Sequence, residues 1–402
     1  MATGFSQEVL SAQASLIADR RWLHRHAERS FEEYKTTAWL EAQLAGLDGV
    51  TIDRPTKTGL VAHVLGTKPG KGHVLGIRAD IDALPMPEEA PVPFASETPG
   101  VMHACGHDGH AAILLSAVRL LSRSRESFCG EVRCFFQHAE ELPPGGAIEM
   151  VRAGANEGVE VMLSLHLSSN YPTGMLGMRP GVLTSNVDKF EITVRGKGGH
   201  CAFPEQCQDP IPAACELVLA LQTVVSRRLS ANDPAVISVC SLNGGTAYNI
   251  IPDEVKISAS VRSFGADTRE KIETEVNRIS AGIAAAHNVT CTVNYEKGYP
   301  SVVNDPALTG TVRALMAERF GEERLLSLDP LMPGEDFSYF LSEKVPGFFL
   351  ELGSGNAEKG CAFPHHNTKY CLDEDALAYG LQYELDSVRA LLDGTGSFFE
   401  RS

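Results

Sequence analysis

No apolar run in this chain approaches the roughly 18 residues that a membrane-spanning helix needs. The first 22 residues also lack a basic start followed by an apolar core, so no leader is expected and the reading is a cytoplasmic protein. Positive charge is scarce: 35 Lys and Arg stand against 51 Asp and Glu, a formal net charge of −16, with no basic stripe. That balance excludes nucleic acid and anionic membrane as expected partners. The ten cysteines include no CxxC pair, which argues against a zinc ribbon or a thioredoxin-like redox centre and leaves most of them as reduced core thiols. No GxGxxG turn follows a strand-like segment, so a nicotinamide oxidoreductase is set aside. Internal repeats and low-complexity segments are absent too.

What is present is a globular mix, 43% hydrophobic and 21% charged, in 402 residues, which is too long for one ordinary domain. After an amphipathic opening helix carrying Val9, Leu10, Leu16, Ile17 and Leu23, short apolar runs end in polar residues of unusual chemistry. Leu60 to Leu65, His73 to Ile77, Glu131 to Phe136 and Gly158 to Leu165 read as parallel strands, with a helix at Ala111 to Leu121 between them. The order predicts an α/β fold, a mostly parallel sheet with helices on both faces. From residue 187 the pattern becomes β-α-β-β-α-β, the split unit of a ferredoxin-like α+β sandwich. The expected domains are therefore 1–186 and 299–402 for a discontinuous catalytic domain and 187–298 for an insert. The exposed edge of that inserted sheet needs protection, and pairing with a second copy supplies it, so a homodimer through the insert is expected.

The densest chemistry lies in MHACGHDGH, Met102 to His110, where Cys105 and His107 flank Gly106 and can turn toward one cation. Other candidates stand at strand ends, where ligands bind in open α/β sheets. They are Asp80 and Asp82 in RADIDALP, Glu140 and Glu141 in QHAEE, and His166 in LSLHLSS. Two buried carboxylates side by side demand a cation, and adjacent side chains point apart, so one suits the metal and the other a water. Either His365 or His366 completes the ligand set if the ends of the domain meet; His103, His110 and His138 read as supporting residues. In the insert, GKGGH and NGGTAYNIIPD attach His200 and Asn249 to glycine-rich turns, as donors for a substrate carbonyl or carboxylate. GEDFSYF is equally a helix start or a site wall.

Together RRWLHRHAERSFEE, RADIDALP, MHACGHDGH, QHAEE, GKGGH, NGGTAYNIIPD, GEDFSYF and HNTKY resemble, in order and spacing, the zinc-peptidase-like family of metal-dependent aminoacylases, carboxypeptidases and amidohydrolases. The branch resembled is that of hippurate hydrolase, indole-acetyl-amino-acid hydrolase and N-acetyldiaminopimelate deacetylase. The resemblance implies an aminopeptidase-like catalytic domain with an inserted lid, and one or two divalent ions per subunit, zinc, manganese, nickel or cobalt. It assigns Cys105, His107, Glu141, His166 and His366 as ligands, Glu140 as general base and Asp82 as the residue that orients a ligand. It places His200 as a lid histidine that reaches the partner subunit's site and stabilises an oxyanion, and Asn249 as a substrate contact. The implied reaction is hydrolysis of an N-acyl amino acid or similar small amide. Cleavage of another C–N bond, as in an aryl amine deaminase or a dipeptidase, and a non-catalytic metal-binding scaffold are the alternatives.

Overall fold

A computed structural model describes residues 4–341 and 345–401. Its strands form where the apolar runs are, because a strand covered by helices on both faces must be apolar throughout. The central strands lie in the order Leu60–Leu65, Gly130–Gln137, His73–Asp80, Val161–Pro172, Gly347–Gly355, within a ten-stranded sheet. His73–Asp80 pairs in parallel with both neighbours, and Val161–Pro172 pairs in parallel with Gly347–Gly355. Leu60–Leu65 corrects the expectation: it runs antiparallel to Gly130–Gln137. It is joined to the antiparallel neighbour Val50–Asp53 by a short connection, which a parallel crossover would not allow.

The chain divides into two compact units, and residues 184–302 with 330–335 make the second. The sequence suggested 187–298 for the insert, without the return of the chain at 330–335. The first unit buries its helix His107–Arg123 almost completely, between the sheet and the helices Gln7–Arg25 and Ala376–Leu391. That helix begins four residues earlier than the apolar pattern indicated, because Gly106, at φ 95°, turns the chain so that polar His107 and Asp108 open it. The second unit has the sheet order Ala235–Gly244, Glu254–Ser263, Asn186–Arg195, Thr290–Lys297, all antiparallel, with helices Pro210–Thr223 and Ala266–His287 packed on the sheet. This is the β-α-β-β-α-β sandwich. Among the described residues no helix is long and apolar enough to cross a membrane.

One core residue gives a pH test of the packing. Glu384, on Ala376–Leu391, is 1% exposed and its Oε2 has no hydrogen-bond partner, so burial holds its carboxyl well above the usual range. The unfolded chain ionises this group from about pH 4.3 upward while the folded chain keeps it protonated, so stability falls as pH rises between the two pKa values. Glu384→Gln removes that loss. Its stability advantage over the wild type should grow by up to about 1.4 kcal/mol per pH unit as pH rises above about 5, until the folded carboxyl itself ionises. Trp22 and Trp39, the two tryptophans, stack at 4.1 Å in the same unit, so urea unfolding followed by their fluorescence reads it. A pH-independent difference would refute the account.

Candidate metal centre and catalytic site

Five chain segments of the first unit, around Asp82, Cys105 to His107, Glu140 and Glu141, His166, and His366, come together. Gly106 starts the helix that presents His107. Its φ is left-handed and a Cβ there would stand 3.0 Å from Tyr370 Oη, so only glycine is comfortable at this position. His107 Nδ1 meets the backbone oxygen of Asp82 at 3.0 Å and its Oδ1 at 3.1 Å, which leaves Nε2 buried without a hydrogen bond. Asp82 Oδ2 in turn accepts from Glu141 N at 3.0 Å and Ser30 Oγ at 2.7 Å. One carboxylate thus fixes a histidine ring and the backbone of the glutamate pair. Cys105 Sγ lies 3.5 Å from His166 Nε2, while His166 Nδ1 has no partner.

The loop before the last helix brings in His366, whose N–H donates to Ala104 O at 2.9 Å beside Cys105. Its Nε2 stands 3.1 Å from Glu141 Oε1, an atom that has no hydrogen bond. Ligand atoms of Cys105, His107 and His166 lie within 4.8 Å of one another, as do those of Cys105, Glu141 and His366, and those of His107, Glu140 and Glu141. All six sequence candidates from the first unit other than Asp82 are therefore gathered, with Asp82 behind them. Glu140 is 8% exposed. His365 faces His166 instead, ring centroids 5.1 Å apart, and burial with nearby His110 lowers it to about 4.

The electrostatics are those of a pocket built around positive charge. Burial alone would push His107 down, yet Asp80, Asp82 and Glu141 outweigh it and hold the imidazole at about 10. Burial, with Glu141 and Glu140, pushes the Cys105 thiol far above its ordinary range. Burial and the neighbours His110 and His365 keep His166 neutral, the form that ligates. Buried carboxylates in excess, a thiol that needs a cation to ionise, and three unpartnered ligand atoms fit a divalent metal.

Sequence reasoning left several residues of this site without a role. Glu33 Oε1 accepts from Ala139 N at 2.8 Å, holding Ala139 at φ 49° just before the glutamate pair; burial and Asp82 raise Glu33 to about 7. Asp80 Oδ1 binds His110 Nδ1 at 2.6 Å, and His110 Nε2 accepts from Leu167 N at 2.8 Å, next to His166. Ser30 and Glu33 sit in ERSFEE, the end of a motif that carries the family resemblance, but neither was given a role from the sequence. His103 is buried with both ring nitrogens unpartnered, and His138 contacts Glu149 at 3.1 Å, away from the three groups above. GEDFSYF resolves as a short 3-10 turn, Asp336–Phe340, whose Asp336 is tied to Arg78 at 2.9 Å.

In the second unit, His200 and Asn249 are neighbours on a two-stranded ribbon in which Ile250 pairs with His200. Cys201 N donates to Asn249 O at 3.3 Å, and His200 Nδ1 accepts from Ala202 N at 3.1 Å. Both side chains are exposed.

The profile of peptidase family M20/M25/M40 matches residues 76–389. A thermostable carboxypeptidase of Saccharolobus solfataricus is 37% identical over 91% of this chain and 92% of its own length. An N-acetylcysteine deacetylase of Bacillus subtilis is 38% identical over 92% of this chain and 94% of its own. Among solved structures, a Bacillus subtilis protein described as a dinuclear metal-binding peptidase from the M20 family superposes with a TM-score of 0.82 at 33% identity, covering 96% of this chain and 99% of its own. The chain therefore belongs to peptidase family M20/M25/M40 and is a hydrolase of carbon–nitrogen amide bonds.

Proposed function

We propose that the protein hydrolyses the amide bond of an N-acyl amino acid or similar small amide at a centre of one or two divalent ions. The observation that carries this reading is the overlap of the ligand groups. Cys105 belongs to one group with His107 and His166 and to another with Glu141 and His366, so these residues would offer donors for one or two ions. Cys105, His107, Glu141, His166 and His366 would hold the metal, and zinc, manganese, nickel and cobalt all accept that mixture of donors. A divalent ion, when bound, polarises the amide carbonyl and makes water nucleophilic at neutral pH. Asp82 keeps the His107 ring turned so that Nε2 faces the ions. Glu140 takes a proton from the attacking water and returns it to the amine nitrogen as the C–N bond breaks, releasing an acid and an amine. His200 and Asn249 are the donors we assign to the substrate's oxyanion and carboxylate.

The homodimer is proposed through the second unit, whose edge strand Ala235–Gly244 leaves Val236 and Leu242 each 43% exposed. Ten free cysteines suit the reducing cytoplasm. The N-acetylcysteine deacetylase supports an acyl amino acid as substrate, and the carboxypeptidase keeps dipeptides in the comparison. The test is a metal analysis of purified protein with a panel of N-acyl amino acids, dipeptides and aryl amides. Chelation should abolish hydrolysis, and a divalent ion should restore it on the acyl amino acids. Protein that holds no metal and gains no activity when metal is added would overturn the reading; dipeptides alone turning over would move it to a dipeptidase.

A further inference from the structure

Five of the ten cysteines are buried, fewer than the sequence suggested, and two of the five face each other. Cys361 Sγ and Cys371 Sγ are 2.7 Å apart, closer than any other partner of either sulfur. We propose that Cys361 and Cys371 are a redox modification site, a dithiol that a peroxide converts to a disulfide, clamping the base of the loop that bears His365 and His366.

Placement comes first. Cys361 is bridged to Asn356 by backbone hydrogen bonds in both directions, and Cys371 follows Tyr370, a fully buried side chain. Both ends of the segment are thus fixed, and the nine residues between them form the histidine loop. Within it Thr368 exchanges contacts with Glu89, and His366 takes φ 60°, a left-handed conformation that its surroundings must hold. A cross-link at the base reduces the freedom of the whole loop.

Reactivity is asymmetric. Burial raises both thiols and the Arg20 guanidinium opposes it at both, but His24 favours the thiolate at Cys371 alone. Cys371 is the nucleophile and Cys361 the resolving thiol. The Cys371 thiolate attacks one peroxide oxygen, the O–O bond breaks, and hydroxide leaves; Cys371 is then a sulfenic acid. The Cys361 sulfur displaces its oxygen, which departs as water with the Cys361 proton. Two thiols lose two electrons, one hydrogen peroxide becomes two waters, and a dithiol reductant reverses the change. Exposures of 6% and 8% admit hydrogen peroxide more readily than a bulky oxidant. Exposed Cys201, Cys215 and Cys240 each lack such a partner sulfur among their described contacts.

The full-length metal-loaded protein is treated with hydrogen peroxide, alkylated under denaturing conditions and digested with trypsin without reduction. Cleavage after Lys359, Lys369 and Arg389 separates residues 360–369, with Cys361, from 370–389, with Cys371. The linked pair of peptides should appear with peroxide dose and vanish after dithiothreitol, and amide hydrogen exchange across residues 362–369 should slow several-fold in the oxidised protein. In Cys361→Ser, dimedone should trap the Cys371 sulfenic acid and exchange should stay as in the reduced wild type. If both cysteines remain alkylatable at doses that oxidise the exposed ones, the site is refuted. A link that leaves exchange unchanged refutes the clamp. Neither readout requires the metal or the hydrolytic activity, so failure here and failure of the proposed function are separable.

Discussion

Glu140→Gln should lower kcat by about 10²- to 10⁴-fold while the protein keeps its metal, the range expected when a positioned general base is lost. The amide is nearly isosteric with the carboxylate, so packing in the 8% exposed position is retained and only proton acceptance is removed. Glu141 supplies the contrast. It shares the groups of Cys105 and His366 and of His107 and Glu140, so Glu141→Gln should lose metal as well as rate. Metal content by elemental analysis and turnover of an N-acyl amino acid, measured on both variants, separate the two assignments. Glu140→Gln retaining a tenth or more of the activity would remove it from the role of base. A Glu140→Gln protein that lost its metal would make it a ligand.

The tandem glutamates were legible because a buried strand that ends in two carboxylates is expensive without a cation, and that cost is visible in a one-dimensional string. The β-α-β-β-α-β insert was legible because strand and helix periods differ, and their order changes near residue 187. The orientation of Leu60–Leu65 was not. An apolar six-residue strand reads the same in either direction; the short link to Val50–Asp53 fixes its direction against that neighbour only, and it pairs antiparallel with Gly130–Gln137 as well. Glu33 and Ser30 escaped notice because their meaning lies in distances across more than 50 residues, to Asp82 and Ala139. The residues alone left His365 and His366 open and only the family resemblance chose His366; in the structure His366 N bonds Ala104 O and its imidazole faces Glu141, while His365 faces His166.

Arg78 is the residue whose removal should cost the fold most. Its guanidinium is at 0% side-chain exposure in the strand His73–Asp80, and burying it requires partners. The partners are Asp80 Oδ2 at 2.7 Å, Gln137 Oε1 at 2.7 Å and Asp336 Oδ1 at 2.9 Å. Asp336 also accepts from Ala147 N at 3.0 Å, so one cation ties two strands, a helix start and the turn at Asp336 together. Arg78→Met keeps the stem's volume and deletes the charge, which removes the guanidinium that the buried Asp80 and Asp336 carboxylates both contact. The expected loss is about 3–5 kcal/mol, the usual cost of breaking a buried pair from one side. Asp80 also carries the chain of contacts through His110 to Leu167, next to His166. Metal affinity should therefore fall along with stability, whereas Arg78→Lys, which keeps a charge without the fork, should fall between wild type and Arg78→Met in both. Urea unfolding followed through Trp22 and Trp39, with metal titration at neutral pH, checks this. An Arg78→Met protein within about 1 kcal/mol of wild type would mean that the carboxylates simply take up protons, and that the cation contributes little to holding this edge of the sheet.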